Sequence, residues 1–160
     1  MRDTTLILPM RNGRLLLGMK KRGFGVGKLN GFGGKLNEGE SVVEAAVREL
    51  EEEIGIVAGV YNLKKVGELD FYFPHYEDDS WDQRVHVFVI EEWEGEPVES
   101  EEMGCEWFGL DDIPYDKMWD DDKFWLPKVL EGRRIKGAFH FGEDNSSLAN
   151  QVIIDMIHNY

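Results

Sequence analysis

Residues 34–56 read GKLNEGESVVEAAVRELEEEIGI, and that stretch is crowded with acid. From Glu40 to Glu53 there are six glutamates and a single basic residue, Arg48. Like charges three or four apart on a helix repel by about 0.2–0.5 kcal/mol per pair. The apolar spacing nevertheless predicts a helix over Ser41 to Ile54. On a wheel of about 100° per residue, Val43, Ala46, Val47, Leu50 and Ile54 share the side that must face a core. Glu44 and Glu51 fall nearly opposite and read as ordinary solvated residues. Glu49, Glu52 and Glu53 stand at i, i+3 and i+4, within about a third of the circumference and beside the apolar stripe. Three such carboxylates raise one another's pKa. Hard divalent cations such as Mg²⁺ or Mn²⁺ reverse that cost, because they take oxygen ligands and leave positions for substrate phosphates.

Composition narrows the classes around this helix. The 160 residues suffice for one domain with a real core, read here as 1–160, and 42% apolar content suits packing over disorder. A net charge of −14 argues against nucleic acid bound through a basic surface. An acidic protein that binds phosphates needs divalent cations to do so. The lone Cys105 excludes an internal disulfide and suits a reducing compartment. MRDTTLILPM is too short in its apolar run for a signal peptide, and no stretch approaches membrane-spanning length. The expectation is a cytoplasmic monomer without a membrane partner.

Thr4 to Pro9 and Arg14 to Met19 are apolar β-prone runs around the turn Arg11-Asn12-Gly13 and read as a hairpin. The stretch RGFGVGKLNGFGGK follows, with six glycines from Gly23 to Gly34; it is either a phosphate-cradling loop or a merely flexible one. It lacks the Gly-Lys-Ser/Thr ending of a P-loop and the dinucleotide fingerprint. Val60 to Phe73, Arg84 to Glu92, Glu106 to Leu110 and Gly137 to Phe141 read as strands. Trp119 to Glu131 should hold a helix interrupted or started by Pro127. The tail LANQVIIDMI fits helix or strand equally. These elements make an α+β domain with a mixed sheet. His75, His86, His140 and His158 lack metal-ligand spacing, and Asp78 to Asp82 only begins to resemble a calcium loop.

The spacing around the acidic helix is more specific than its composition. Gly34, five residues, Glu40, seven residues, Arg48-Glu49-Leu50, one residue, Glu52-Glu53, one residue and Gly55-Ile56 fill every fixed position of the Nudix box. At background residue usage a chance match is on the order of 10⁻⁹ per start position. The sequence thus resembles the Nudix hydrolases, which implies an α/β/α sandwich with a mixed β-sheet and cation-dependent hydrolysis of nucleoside diphosphates linked to another group. The resemblance implies Glu49, Glu52 and Glu53 as metal ligands, joined by the carbonyl of Gly33 or Gly34 and by Glu102. Arg48 would pair with Glu40, and Gly55 would end the helix at positive φ. Glu49, Glu53 and Glu102 are the catalytic candidates, with Glu49 and Glu102 the alternatives for the base that takes a proton from water.

Outside the box, LLLGMKKRGFGVGKLNGFGGK, VHVF, PVESEEM and MWDDDKFWLP are similar to the animal-type oxidised purine nucleoside triphosphate hydrolases. That narrower resemblance implies removal of 8-oxo-dGTP and 2-oxo-dATP from the nucleotide pool, in the cytoplasm or in nuclear or mitochondrial pools. It implies a base pocket of Asn30, Trp119, Asp121 and Asp122, lined by Phe71 and Phe73. Phe24 would pack nearby, Thr5 on the floor and Lys20 near sugar or phosphates. Trp119 offers a stacking face, and Asn30 both a donor and an acceptor. Two adjacent carboxylates should share one proton, and its position would let the site read both oxidised guanine and oxidised adenine. The chain departs from those relatives at Asp120, where they carry proline, and at Leu29, where they carry an aromatic. Three consecutive acids leave open which two face the base. Dinucleoside polyphosphates, capped RNA, sugar nucleotides and a non-catalytic binding module are the rival readings.

Overall fold

In the computed structural model, which describes residues 1–23, 25–74, 81–144 and 147–156, alternate residues of the central strands face different cores. On β1 (Arg2–Arg11), Ile7 joins one apolar cluster and Leu8 the other. On β2 (Arg14–Lys20) the split is Leu16 against Leu15 and Leu17. On β5 (Gln83–Ile90) it is Phe88 and Ile90 against Val87 and Val89. Strands buried on both faces read as continuous apolar runs, as these do. Helix α1 (Val42–Ile54) covers one face with Ala46, Leu50 and Ile54. Helix α2 (Asp122–Leu130) covers the other with Trp125, Leu126 and Val129. The result is the expected α/β/α sandwich.

The sheet is mixed. Its order is β3 (Leu29–Asn30), β2, β1, β5, β4 (Leu63–Tyr72), β7 (Arg134–Phe141) and β8 (Leu148–Met156), with β6 (Met103–Gly109) paired to β2. β1 runs parallel to β5, and β4 parallel to β7; the remaining named pairs are antiparallel. The β1–β2 hairpin turns through Asn12 and Gly13 at φ 54° and 71°, both positive as a type I′ turn requires. Its ladder is short, pairing only Met10 with Leu15 and Arg11 with Arg14.

The rest of that β1 edge goes to the glycine-rich stretch. Residues 31–35 lie antiparallel along β1, bridging Phe32 to Ile7 and Lys35 to Thr4. The flexible-loop reading is therefore corrected for this part of the stretch, which is a fixed member of the sheet. Gly33 is required there. Its φ is 149°, and a Cβ would collide with the Thr5 carbonyl oxygen.

Other boundaries moved for identifiable reasons. Residues 60–62 form a 3-10 turn before β4, and β5 and β6 begin earlier than their apolar patterns indicated. Pro127 lies inside α2, where it removes one backbone donor without ending a helix of nine residues. The tail is strand β8, an edge partner of β7. Glu44 is exposed, as the helical wheel indicated, and it also has a structural role. It closes a capping box with Ser41, through Glu44 N–H to Ser41 Oγ at 3.2 Å and Ser41 N–H to Glu44 Oε1 at 3.0 Å. Gly55, at φ 72°, ends α1 as expected and returns its N–H to the Glu51 carbonyl.

The close approach at Gly33 predicts that Gly33→Ala destabilises the fold by about 3 kcal/mol, at the upper end of ordinary substitutions. Gly39→Ala, at φ 79° with nothing within 4 Å of its added methyl, should cost only about 1–2 kcal/mol. Urea midpoints at constant slope measure both, and equal losses would contradict the packing argument.

Candidate active site

Where the residues 31–35 segment meets β1, α1 and the start of α2, the chain encloses a cavity of about 480 Å³. That is ample for a small-molecule ligand. Two separate groups of carboxylates line it, one supplied by each helix. From α1 come Glu49, Glu52 and Glu53; from the start of α2 come Asp121 and Asp122.

The α1 group is organised by Arg48. Its Nε and Nη2 donate to Glu40 at 2.8 and 3.0 Å, and Nη2 also donates to the Lys35 carbonyl at 3.0 Å. Nη1 donates to Glu49 Oε1 at 2.9 Å and Glu52 Oε2 at 3.0 Å. Glu53 points under the 31–35 segment, where Oε1 accepts from the Gly33 N–H at 3.1 Å. Its Oε2 is buried without a hydrogen-bond partner. Burial, followed by the hydrogen bond and charge of Glu49, pushes the Glu53 carboxyl up to about 8, against the opposing Gly33 N–H and Lys20. Thr5 secures the segment, with its backbone N–H donating to the Gly34 carbonyl at 2.9 Å and its Oγ1 accepting from the Gly34 N–H at 3.2 Å.

The carboxylates do not all converge. Glu52 is 58% exposed and turned onto Arg48. Glu102 is 71% exposed and bonded to Arg22 at 3.1 Å, on the cavity lip. Among the described residues no three carboxylate, imidazole or thiol side chains meet at metal-ligand spacing. The chemistry of the donors still fits a hard cation. A buried carboxylate oxygen with no partner, beside a second carboxylate, is relieved by a divalent ion more effectively than by another protein group. The Gly34 face is also open to such an ion only because it lacks a side chain: a Cβ there would stand 2.8 Å from Glu49 Oε1.

The second group resolves the run of three aspartates. Asp120 turns away, its Oδ2 accepting from the Leu148 N–H at 3.1 Å and its Oδ1 pairing with Lys123 at 3.1 Å. The Leu148 bond chiefly holds its carboxyl below the usual range. Asp121 and Asp122 are 4% and 3% exposed and face the cavity. Asp121 makes no side-chain cap to α2. Its Oδ2 instead accepts from Trp125 Nε1 at 2.7 Å. Burial pushes Asp121 up to about 6. Burial and the neighbouring Asp121 charge push Asp122 well above its usual range too. Asp122 Oδ2 is buried without a partner.

Around these acids stand the other expected residues. Asn30 Oδ1 accepts from the Gly31 N–H at 2.9 Å, leaving the Nδ2 hydrogens for a ligand. Trp119 lines the cavity, with Lys28 Nζ 5.2 Å from its ring centroid and Phe141 edge-on at 6.5 Å. Phe71 and Phe73 both line the wall, and each stacks on β7: Phe71 on Phe139 at 5.4 Å, Phe73 on Phe141 at 5.0 Å. Lys20 and Thr5 also line it. Phe24 lies outside the described residues, as do His75 and His158. Leu29 packs into the α2-side core instead of the cavity. Sequence reasoning missed Arg2, Lys28, Gln83, Val85, Trp125 and Phe141, all in the lining. Only Phe141 left a usable signal, its alternation with Phe139.

A family model described as the NUDIX domain matches residues 1–129. The zebrafish (Danio rerio) protein named oxidized purine nucleoside triphosphate hydrolase is 50% identical over 137 residues, covering 86% of this chain and 85% of its own. The mouse (Mus musculus) protein of the same name is 45% identical over 148 residues, covering 91% and 90%. Among solved structures, a MutT mutator protein from Bacillus halodurans superposes with a TM-score of 0.78 at 25% identity, over 96% of this chain and 97% of that one.

Burial of the aspartate pair predicts a pH-dependent stability cost. A raised carboxyl pKa means that the folded state holds its proton more tightly than the unfolded chain. This contribution is therefore most favourable near pH 4 and is lost as pH rises through about 6 and beyond. Asp122→Asn removes the larger part of that loss and keeps a donor toward Asp121. Its melting temperature should match wild type near pH 4 and exceed it by about 4 °C at pH 8. A difference independent of pH would contradict the assignment.

Proposed function

This chain belongs to the Nudix family, and on that premise we propose that it hydrolyses oxidised purine nucleoside triphosphates of the 8-oxo-dGTP and 2-oxo-dATP type to monophosphate and pyrophosphate. The observation that carries the reading is the shared cavity. The buried aspartate pair, Asn30 and Trp119 line the same space as the Arg48-anchored glutamates, which supports this reading. The names of the zebrafish and mouse relatives point to the same substrates.

The purine stacks on Trp119 between the aromatic wall and α2, a contact worth about 1–3 kcal/mol. Asp121 accepts from a base N–H, while Asp122, holding the shared proton, donates. A shift of that proton between the two carboxyls changes which tautomeric edge the pair complements, so oxidised guanine and oxidised adenine both fit. Lys20 draws the phosphates toward the α1 carboxylates. Glu49, Glu53 and the Gly33 or Gly34 carbonyl would hold a bound Mg²⁺ or Mn²⁺, and Glu52 and Glu102 would join the set only by turning in from Arg48 and Arg22. That ion supplies charge neutralisation of the phosphate oxygens and a more acidic water. Glu49, fixed by Arg48 and adjacent to Glu53, is better placed than Glu102 as the base that removes the water's proton. The free Cys105 suits a reducing cytoplasmic setting.

The test is pyrophosphate release from 8-oxo-dGTP, 2-oxo-dATP and dGTP, with Mg²⁺ and with excess chelator. The expected result is turnover of the oxidised substrates in preference to dGTP, abolished by chelator and lowered about 100-fold or more in Glu49→Gln. Equal rates with chelator, or no preference for the oxidised bases, would overturn the reading.

A further inference from the structure

The cavity holds a second polar edge, separate from the aspartates, on the strand floor. Register places Arg2 of β1 beside Gln83 of β5, Gln83 beside Phe71 of β4, and Phe71 beside Phe139 of β7. These four form one row across neighbouring strands, about 4.8 Å apart. Arg2, Gln83 and Phe71 all line the cavity.

The hydrogen-bonding capacity of this edge is one-sided. Arg2 Nε is buried and has no hydrogen-bond partner. A guanidinium has donors only. Gln83 Oε1 is taken by the buried Thr4, whose Oγ1 donates to it at 3.2 Å. Its Nε2 makes one long contact to the Trp81 carbonyl at 3.4 Å, so a second amide hydrogen remains. The floor therefore offers N–H groups and lacks what would satisfy them, and an orphaned buried donor carries a cost that a ligand acceptor removes.

We propose that Arg2 and Gln83 form a donor edge that binds a carbonyl oxygen of the oxidised purine, complementary to the acceptor-rich edge of Asp121 and Asp122. This rests on the substrate reading above and deepens it. A base packed against Phe71 has an edge toward Gln83 and then Arg2. Oxidation replaces a ring C–H with a carbonyl. At that position an unoxidised base presents a C–H, which leaves a donor aimed there unpaired, whereas the oxidised base presents a carbonyl; the neighbouring N7 changes from acceptor to donor, so the contact is to the new oxygen alone. Discrimination of this kind, through polar groups left unpaired by the wrong substrate, is stronger than any difference in apolar contact. Thr4 acts as a positioning residue, because its bond to Oε1 turns the amide nitrogen of Gln83 outward.

The experiment measures kcat/KM for 8-oxo-dGTP and for dGTP in wild type, Gln83→Met and Arg2→Met, with melting temperature as the check of folding. Gln83→Met keeps side-chain length and Arg2→Met keeps an apolar stem without the guanidinium; both remove the donors. The ratio of the two kcat/KM values should fall at least about tenfold in each. If both substrates lose rate in equal proportion, or neither does, the ratio stays put and the donor edge is wrong. If wild type itself fails to prefer 8-oxo-dGTP, the substrate reading falls and takes this inference with it. A preference in wild type that survives both substitutions overturns the edge alone. Should one variant fail to fold, Gln83→Glu replaces the amide donor by an acceptor at the same place and must lower the ratio further still.

Discussion

The five N–H donors of Arg48 are all used, and the site depends on where they go. Two reach Glu40, one the Lys35 carbonyl, and one each Glu49 and Glu52. A single guanidinium thus ties the loop before α1 to the helix that carries the acids, and it fixes Glu49 in the process. It also explains why a helix so rich in glutamate folds at all. The repulsion is partly balanced within the box by this one cation. What Arg48 does not reach is the inner carboxylate, Glu53, which is left beside Glu49 with one buried oxygen unpartnered. The fold thereby leaves an unsatisfied carboxyl oxygen of this acidic helix at one point, facing a cavity.

The cavity's other acids are handled differently. Asp121 and Asp122 are also buried side by side, where burial raises both carboxyls and Trp125 donates to Asp121. In the proposed function a proton held between them suits a site that must donate and accept toward a flat base. A multivalent ion suits one that must collect phosphate oxygens. Asp120 separates the two roles by being withdrawn to Leu148 and Lys123. Arg2 and Gln83 then add donors where the aspartates offer acceptors, so the two edges of the pocket differ in polarity.

Much of this was legible in the residues. Local apolar spacing was enough for α1 and its Gly55 end, while the Glu40–Arg48 pairing came from the resemblance to the box and is present in the structure. Apolar and alternating runs located β1, β2, β4, β5, β6 and β7, but gave no sign of β3 and left the tail that forms β8 open between helix and strand; the resemblance carried by MWDDDKFWLP pointed to the aspartates without deciding which two face inward. Three features were not legible. Glu44 is exposed, as the wheel indicated, but a wheel does not show that a first-turn side chain can fold back onto its N-cap. The 31–35 segment looked loose because glycine reads as freedom in sequence; here Gly33 is needed for close approach to β1. Residues such as Gln83 and Arg2 carry no local signal at all. Their role arises only from sheet register, which brings residues about eighty positions apart into one row.

The central claim is that the α1 carboxylates form a seat for a divalent cation, and direct binding tests it without reference to turnover. Mn²⁺ titrated into the purified chain can be followed by loss of the free-ion paramagnetic signal. The account predicts saturable binding by wild type. It predicts binding at least about 100-fold weaker when Glu49, Glu52 and Glu53 are all replaced by glutamine, since removal of even supporting groups around a metal costs 10–100-fold. Equal affinity in the two proteins would contradict it.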